Sequence, residues 1–153
     1  MKILGIDPAA GKPNAYCIFE NDRVIEWGKF KDYETYQDII IRKMIKHVFI
    51  EDQYLGINFN AAKKLIEVQS ILKYIAESLG CDVKLIHPKS WMSAIRIPVQ
   101  ARRGQERDQW IITLSKSLIN GNGFFKLSID EACAIQIAYY GARRLKKSYS
   151  KIG

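Results

Sequence analysis

Short apolar runs and longer stripes with apolar residues three and four apart alternate along the chain, and each pattern predicts its own kind of element. Residues 2–7 (KILGID) make an apolar run that closes on an acid. Residues 15–19 and 23–28 are two more strand candidates, joined by Asn21–Asp22, a favourable turn pair. Residues 33–46 predict a helix, with Tyr36, Ile39, Ile40 and Met44 at turn spacing. His47–Glu51 (HVFIE) is a second apolar run ending in an acid, and residues 58–79 predict a long helix striped by Leu65, Val68, Leu72, Ile75 and Leu79. Gly80 stops that helix and Asp82–Ile86 is the fifth strand candidate. Residues 96–104 hold three arginines, a proline and a glycine and read as a mobile loop, while residues 106–118 and 129–145 are the last predicted helices. The order predicts an α/β fold, a mixed five-stranded sheet flanked by helices. One domain is expected over residues 1–153, with no internal repeat.

Composition changes this picture little. A hydrophobic fraction of 48% with four prolines is ordinary for a globular chain. No stretch is apolar for long enough to span a bilayer, and Met1–Lys2 runs straight into a strand, so neither a membrane segment nor a cleavable export signal is expected. Cys17, Cys81 and Cys133 are odd in number, widely spread and without metal-ligand pairing, which reads as reduced thiols in the cytoplasm. Charge says more. Lys and Arg number 24 against 16 Asp and Glu, a net +8, and such an excess favours a polyanionic partner, since phosphates neutralised by the protein release counterions. The run Arg143, Arg144, Lys146 and Lys147 reads equally well as a solvated helix end, where cations suit the dipole.

The acids carry the candidate chemistry. Asp7 and Glu51 each close an apolar strand, and if the first and fourth strands are adjacent and parallel, both emerge at the same end of the sheet. Asp130 opens the last helix, at the head of the stripe Ala134, Ile137, Gly141 and Leu145 that turns toward the sheet. Three carboxylates at one end of a basic protein suit Mg²⁺, with Mn²⁺ as a substitute, and such ions polarise phosphodiesters and generate hydroxide. The bland alternative is three unrelated strand-end and helix-start acids. Glu131 has its own bland role, because Ser128 to Glu131 spells a capping box. Residues 5–12 (GIDPAAGK) are not a phosphate loop: the glycine spacing is one residue too long, and Pro13 stands where Ser or Thr is needed. Actin-like ATPases open similarly but need two such domains. His47 and His87 flank strands without a Ser or Cys nucleophile beside them in sequence, and Trp91 reads as a core anchor.

With these motifs in hand, the sequence resembles the RuvC-type Holliday junction resolvases of the ribonuclease-H-like superfamily, in particular their small phage versions. KILGIDPAAGKPNAYCIF is similar to the family's opening strand, with Asp7 as first metal-binding acid and Ala9 where glycine is usual. VFIEDQYLGINFNAAKKL resembles the second motif, with Glu51 as second acid, Tyr54 as an aromatic near the junction centre and Asn58 as a common asparagine. DEACAIQIAYYGARRL resembles the closing helix, with Asp130 in its first acid position and Cys133 where a second acid is usual. The resemblance covers most of the chain and is weakest over residues 100–126. It implies paired, metal-dependent hydrolysis of four-way DNA junctions, with Asp7, Glu51 and Asp130 holding two Mg²⁺ and products ending in 5′-phosphate and 3′-hydroxyl. It also implies a homodimer in the cytoplasm of a bacterial cell, encoded by the cell or by a phage.

A thiol is a poor ligand for hard Mg²⁺. Four readings of Cys133 therefore stand open: three acids and water suffice, Glu131 joins them, the register slips so that Asp130 takes the second acid position, or the enzyme is weak or silent. A related nuclease of hybrid or flapped nucleic acid is a further alternative. For DNA contact the candidates are Tyr54, which either stacks on an unpaired base or belongs to the core, and Lys63, Lys64, Lys89, Arg102, Arg103 and Arg107 on phosphates. The apolar stripe of the long helix packs either on a partner subunit or on its own sheet.

Overall fold

The computed structural model describes residues 1–52, 59–119 and 125–152. Five strands, β1 (Ile3–Asp7), β2 (Asn14–Glu20), β3 (Arg23–Phe30), β4 (His47–Glu51) and β5 (Asp82–Ile86), form one sheet in the order β3-β2-β1-β4-β5. β1 runs antiparallel to β2, β2 antiparallel to β3, and β1, β4 and β5 are mutually parallel neighbours. The mixed sheet expected from the strand order is therefore present, with β1 beside β4. The β2–β3 hairpin turns at Asn21 and Asp22, whose φ angles of 52° and 63° suit the tight turns that match strand twist.

Five α-helices cover the sheet: α1 (Tyr33–Arg42), α2 (Phe59–Ser78), α3 (Pro88–Ala94), α4 (Gly104–Ser117) and α5 (Ile129–Ser150). One face holds Leu4, Ile6, Val48 and Ile50 against Tyr36, Ile40 and Leu72 of α1 and α2. The other holds Ile3, Cys17, Phe19 and Phe49 against Trp91 of α3, Ile111 of α4 and a row of α5 residues including Ala134, Ile135 and Ala138. Both faces being covered explains why β1 and β4 are apolar at nearly every position rather than at alternate ones.

Because side chains alternate along a strand, this division fixes where the acids point. Asp7 shares parity with Ile3 and Gly5, and Glu51 with Phe49, so both emerge on the α5 face at the carboxyl end of adjacent parallel strands. α5 lies close to that face because two glycines permit it. A methyl group on Gly5 would stand 2.6 Å from the Ala134 carbonyl and the Ala138 amide, and one on Gly141 would meet the Phe49 ring. The stripe of Ala134, Ile137, Gly141 and Leu145 is buried as its spacing predicts. α4 is tied to α5 by a buried chain in which Gln136 Nε2 donates to Ser115 Oγ (2.9 Å), which donates to the Ala132 carbonyl (3.0 Å).

Three expectations are corrected. α3 was not foreseen; it forms because Pro88 sits at its first turn, His87 Nδ1 accepts from the Lys89 amide (3.1 Å), and Trp91 is fully buried. Residues 96–104, read as a loop, include a 3₁₀ turn at Val99–Ala101 with Ile97 and Ala101 in the core. α5 runs to Ser150 rather than stopping at 145. The stripe of α2 serves the chain's own core, with Leu72 buried and Val68 and Ile75 packed beside it, whereas the exposed apolar residues Phe59, Ile71 and Tyr74 lie off the stripe and Leu79 ends it exposed. Among the described residues no helix is long and apolar enough to cross a membrane.

Candidate metal centre

The first turn of α5 is built by capping. Ser128 Oγ accepts from the Glu131 amide (3.1 Å), and Glu131 Oε1 accepts in return from the Ser128 amide (3.1 Å) and hydroxyl (2.8 Å). Of Glu131's two roles, the cap is the one the structure displays. Its neighbour Asp130 instead reaches a pocket of about 690 Å³ shared with Asp7 and Glu51. Three acids from three separate elements thus line one cavity, as the strand ends and helix start predict.

Their electrostatics follow from this gathering. Burial, and after it the charges of Glu51 and Asp130, push the Asp7 carboxyl up from its ordinary 3.8 to about 8, with Lys12 pulling in the opposite sense. Lys12 Nζ donates to Asp130 Oδ2 at 2.9 Å, and this bond raises the ammonium's own pKa. The loop carrying Lys12 is braced where the Ala9 amide donates to the buried Asn14 side chain (2.8 Å). Glu51 is held from the protein side, since Trp91 Nε1 donates to its Oε2 at 2.8 Å. Trp91 is therefore a core anchor, as expected, and also a positioning group for an acid. Cys133 stands one helical turn beyond Asp130. Its thiol is pushed well up by burial and then by Asp7, Glu51, Asp130 and Asp108, so it is a neutral group among acids rather than a thiolate.

Hard oxygen donors that repel one another are the donor set a divalent cation of the Mg²⁺ or Mn²⁺ class takes. Among the described residues no three His, Cys, Asp or Glu side chains are drawn together closely enough to hold a metal ion, and Lys12 supplies the counter-charge on Asp130. In chemistry the residues fit such an ion, and the Lys12 ammonium pairs with one of them.

The proposed phosphate contacts scatter. Lys64 lines the acid pocket together with Asn60 and Lys12. Lys63 and Lys89 are exposed on α2 and α3, outside the pocket lining. Arg102 Nε donates to the Ile97 carbonyl (3.2 Å), Arg103 occupies the N-cap position of α4 without a side-chain cap bond, and Arg107 pairs with Asp108 (3.3 Å). Tyr54 and Asn58 lie outside the described residues. Lys12, Asn60 and the Trp91–Glu51 bond were not singled out from sequence; only the position of Lys12, five residues after Asp7, offered a signal.

No protein-family model matches the chain, and no curated protein does. Solved structures do. Thermus thermophilus RuvC in complex with a Holliday junction substrate superposes with a TM-score of 0.77 at 16% identity, over 97% of this chain and 96% of that one. The chain has the RuvC fold. A second Thermus thermophilus RuvC structure gives 0.73 at 13% identity, over 97% of both chains. The yeast mitochondrial Holliday junction resolvase Ydc2 gives 0.59 at 18% identity, over 98% of this chain and 82% of that one. The RuvC fold is the ribonuclease-H-like arrangement expected from the sequence, and the pocket of Asp7, Glu51 and Asp130 lies at the carboxyl end of its parallel strands, next to the start of α5.

Proposed function

We propose that the protein is a metal-dependent endonuclease that resolves four-way DNA junctions. The observation that carries this reading is the meeting of Asp7, Glu51 and Asp130 in one pocket of a RuvC-type fold. The net charge of +8 supports a nucleic-acid substrate, and the neighbours that bear the names RuvC and Holliday junction resolvase support a branched one.

Asp7, Glu51 and Asp130 would hold Mg²⁺ or Mn²⁺, which when bound supplies Lewis acidity and water of lowered pKa. The chain's own contribution is positional. Trp91 fixes the Glu51 carboxylate, the capping box fixes the start of α5 and hence Asp130, and Gly5 sets the height of that helix above β1. Lys12 bonds Asp130 when no other cation does and is free to turn to a phosphate oxygen once displaced. Lys64 sits on the pocket wall, where a scissile strand would pass.

A four-way junction has two symmetric cut sites, so we infer a cytoplasmic homodimer, with the exposed Phe59, Ile71 and Tyr74 of α2 as the apolar surface available for it. A second reading, a junction-binding protein without cleavage, is favoured by one feature: the neutral Cys133 among the acids. Cleavage of a labelled four-way junction in Mg²⁺ and then Mn²⁺ separates the two, with linear duplex and Asp7→Asn as controls. Paired nicks near the crossover that vanish in the variant are expected. Tight junction binding with no nicking in either metal would establish the binder instead.

A further inference from the structure

A second basic feature lies away from the acids. Between α3 and the C-terminal half of α5 runs a groove of about 740 Å³, lined by Arg96, Arg143, Arg144, Lys147 and Lys151. No acid lines it, and among the described residues none of these five is ion-paired with a carboxylate. Lys146, on another side of the same helix, does have such a partner in Asp22. Arg143, Lys147 and Lys151 recur every fourth residue, so they stack as like charges along one face. Serine hydroxyls of Ser90 and Ser93 line the opposite wall.

Cations near a helix C-terminus also suit its dipole, which alone would explain the α5 residues. It does not explain Arg96. This residue belongs to another element and follows the last turn of α3, where its φ of 51° is the left-handed helix ending that Met44 also adopts after α1 (54°). Arg96 comes beside Arg143, Arg144 and Lys147 of α5 and its C-cap Lys151 with no acid among the lining residues, and five cations gathered from two elements suit a polyanion. Arg144 is ordered by donating to the Tyr140 hydroxyl (3.2 Å).

We propose that this groove binds the phosphate backbone of a duplex DNA arm. The word arm rests on the junction reading above; the backbone recognition does not. Counting along α5 from Asp130, Arg143 lies about 20 Å and Lys151 about 32 Å away at 1.5 Å per residue. A duplex leaving the acid pocket along the helix therefore reaches the groove roughly 6–9 base pairs out.

The test measures affinity and its salt dependence in EDTA for junctions with arms of ~25 base pairs and with hairpin-capped arms of ~4 base pairs, too short to reach Arg143, beside a ~25-base-pair linear duplex. The variants are R143Q/K147Q and R96G; all three side chains are exposed, and glycine relieves the backbone at position 96. Expected for R143Q/K147Q is a loss of about tenfold on long arms, a log–log salt slope smaller by about two, and no change on short arms. R96G is expected to lose affinity for long arms while melting no lower than the parent, which a purely structural role would not produce. Equal loss on short and long arms, or unchanged long-arm affinity and slope, overturns the groove even if junctions are still preferred or cut. Absence of junction preference together with variant-sensitive duplex binding sinks the junction reading and keeps the groove. Loss of binding to anionic phosphatidylserine vesicles, with DNA binding intact, would overturn the assignment in favour of a membrane surface, and failure of the parent to bind any DNA overturns both.

Discussion

The two ends of α5 make opposite electrostatic arrangements on one helix. At its start Asp130 joins Asp7 and Glu51, so negative charge accumulates where a helix N-terminus favours it but where the three acids repel one another. Toward its end Arg143, Arg144, Lys147 and Lys151 accumulate positive charge in a groove without acids. The acid end is half-buried and braced by hydrogen bonds from Trp91, Lys12 and the cap, whereas the basic end is open to solvent. The contrast separates two tasks: a few desolvated carboxylates for chemistry, and exposed cations, two of them resting on Tyr139 and Tyr140, that gain by neutralising phosphates.

Removing one acid is the strongest way to break this contrast. Asp130→Asn is expected to lower the junction cleavage rate on the order of 10³-fold or more while leaving junction affinity the same or tighter. Single-turnover cleavage and a binding titration would check it, and cleavage at the parent rate would remove Asp130 from the mechanism. Next in size is Gly141→Leu, which drives a side chain into the Phe49 ring. It should cost about 3 kcal/mol, read as a lower denaturant midpoint, and should lower cleavage too by lifting α5 from the sheet. A midpoint within error of the parent would show that α5 does not need that close approach.

Cys133→Asp sharpens the acid end. A fourth carboxylate where the thiol now stands should tighten Mg²⁺ about tenfold and cost stability when metal is absent, measured as the Mg²⁺ dependence of cleavage and of the melting temperature. An unchanged metal dependence would show that position 133 does not face the ion. The smallest expected effect is on pH dependence. A carboxyl raised to about 8 keeps its proton in the folded protein but loses it near 3.8 when unfolded, so its burden on stability grows as pH rises from about 4 to about 8. Asp7→Asn should therefore melt on the order of 3 °C above the parent at pH 8 and with it at pH 3.5. An equal gain at both pH values would attribute the effect to packing.

Much of this was legible in the residues. β1 and β4 announce themselves as apolar runs ending in Asp7 and Glu51, and α5 as a stripe with a capping box at its head, because burial on two faces and helix capping are local in sequence. α3 was not, since seven residues are too few to show a period and the helix is stabilised by Trp91 entering the core. The pocket's acids could be named because strand ends fix their direction. The Lys12–Asp130 pair spans 118 residues and the Trp91–Glu51 bond 40, and no spacing rule reaches across such intervals. The groove was hidden for the same reason: Arg143, Arg144 and Lys147 read as an ordinary basic helix end until Arg96 comes beside them.

The glycine contacts give α5 one more property. Pinned to β1 at Gly5 and to β4 through Gly141, and unbroken for 22 residues, the helix works as a fixed gauge whose graduations are its residues. Lengthening it by seven residues after Gly141 would slide the cationic mark outward by about 10.5 Å, roughly three base pairs, and keep it facing nearly the same way. Lengthening it by two would instead rotate that mark to the far side of the rod.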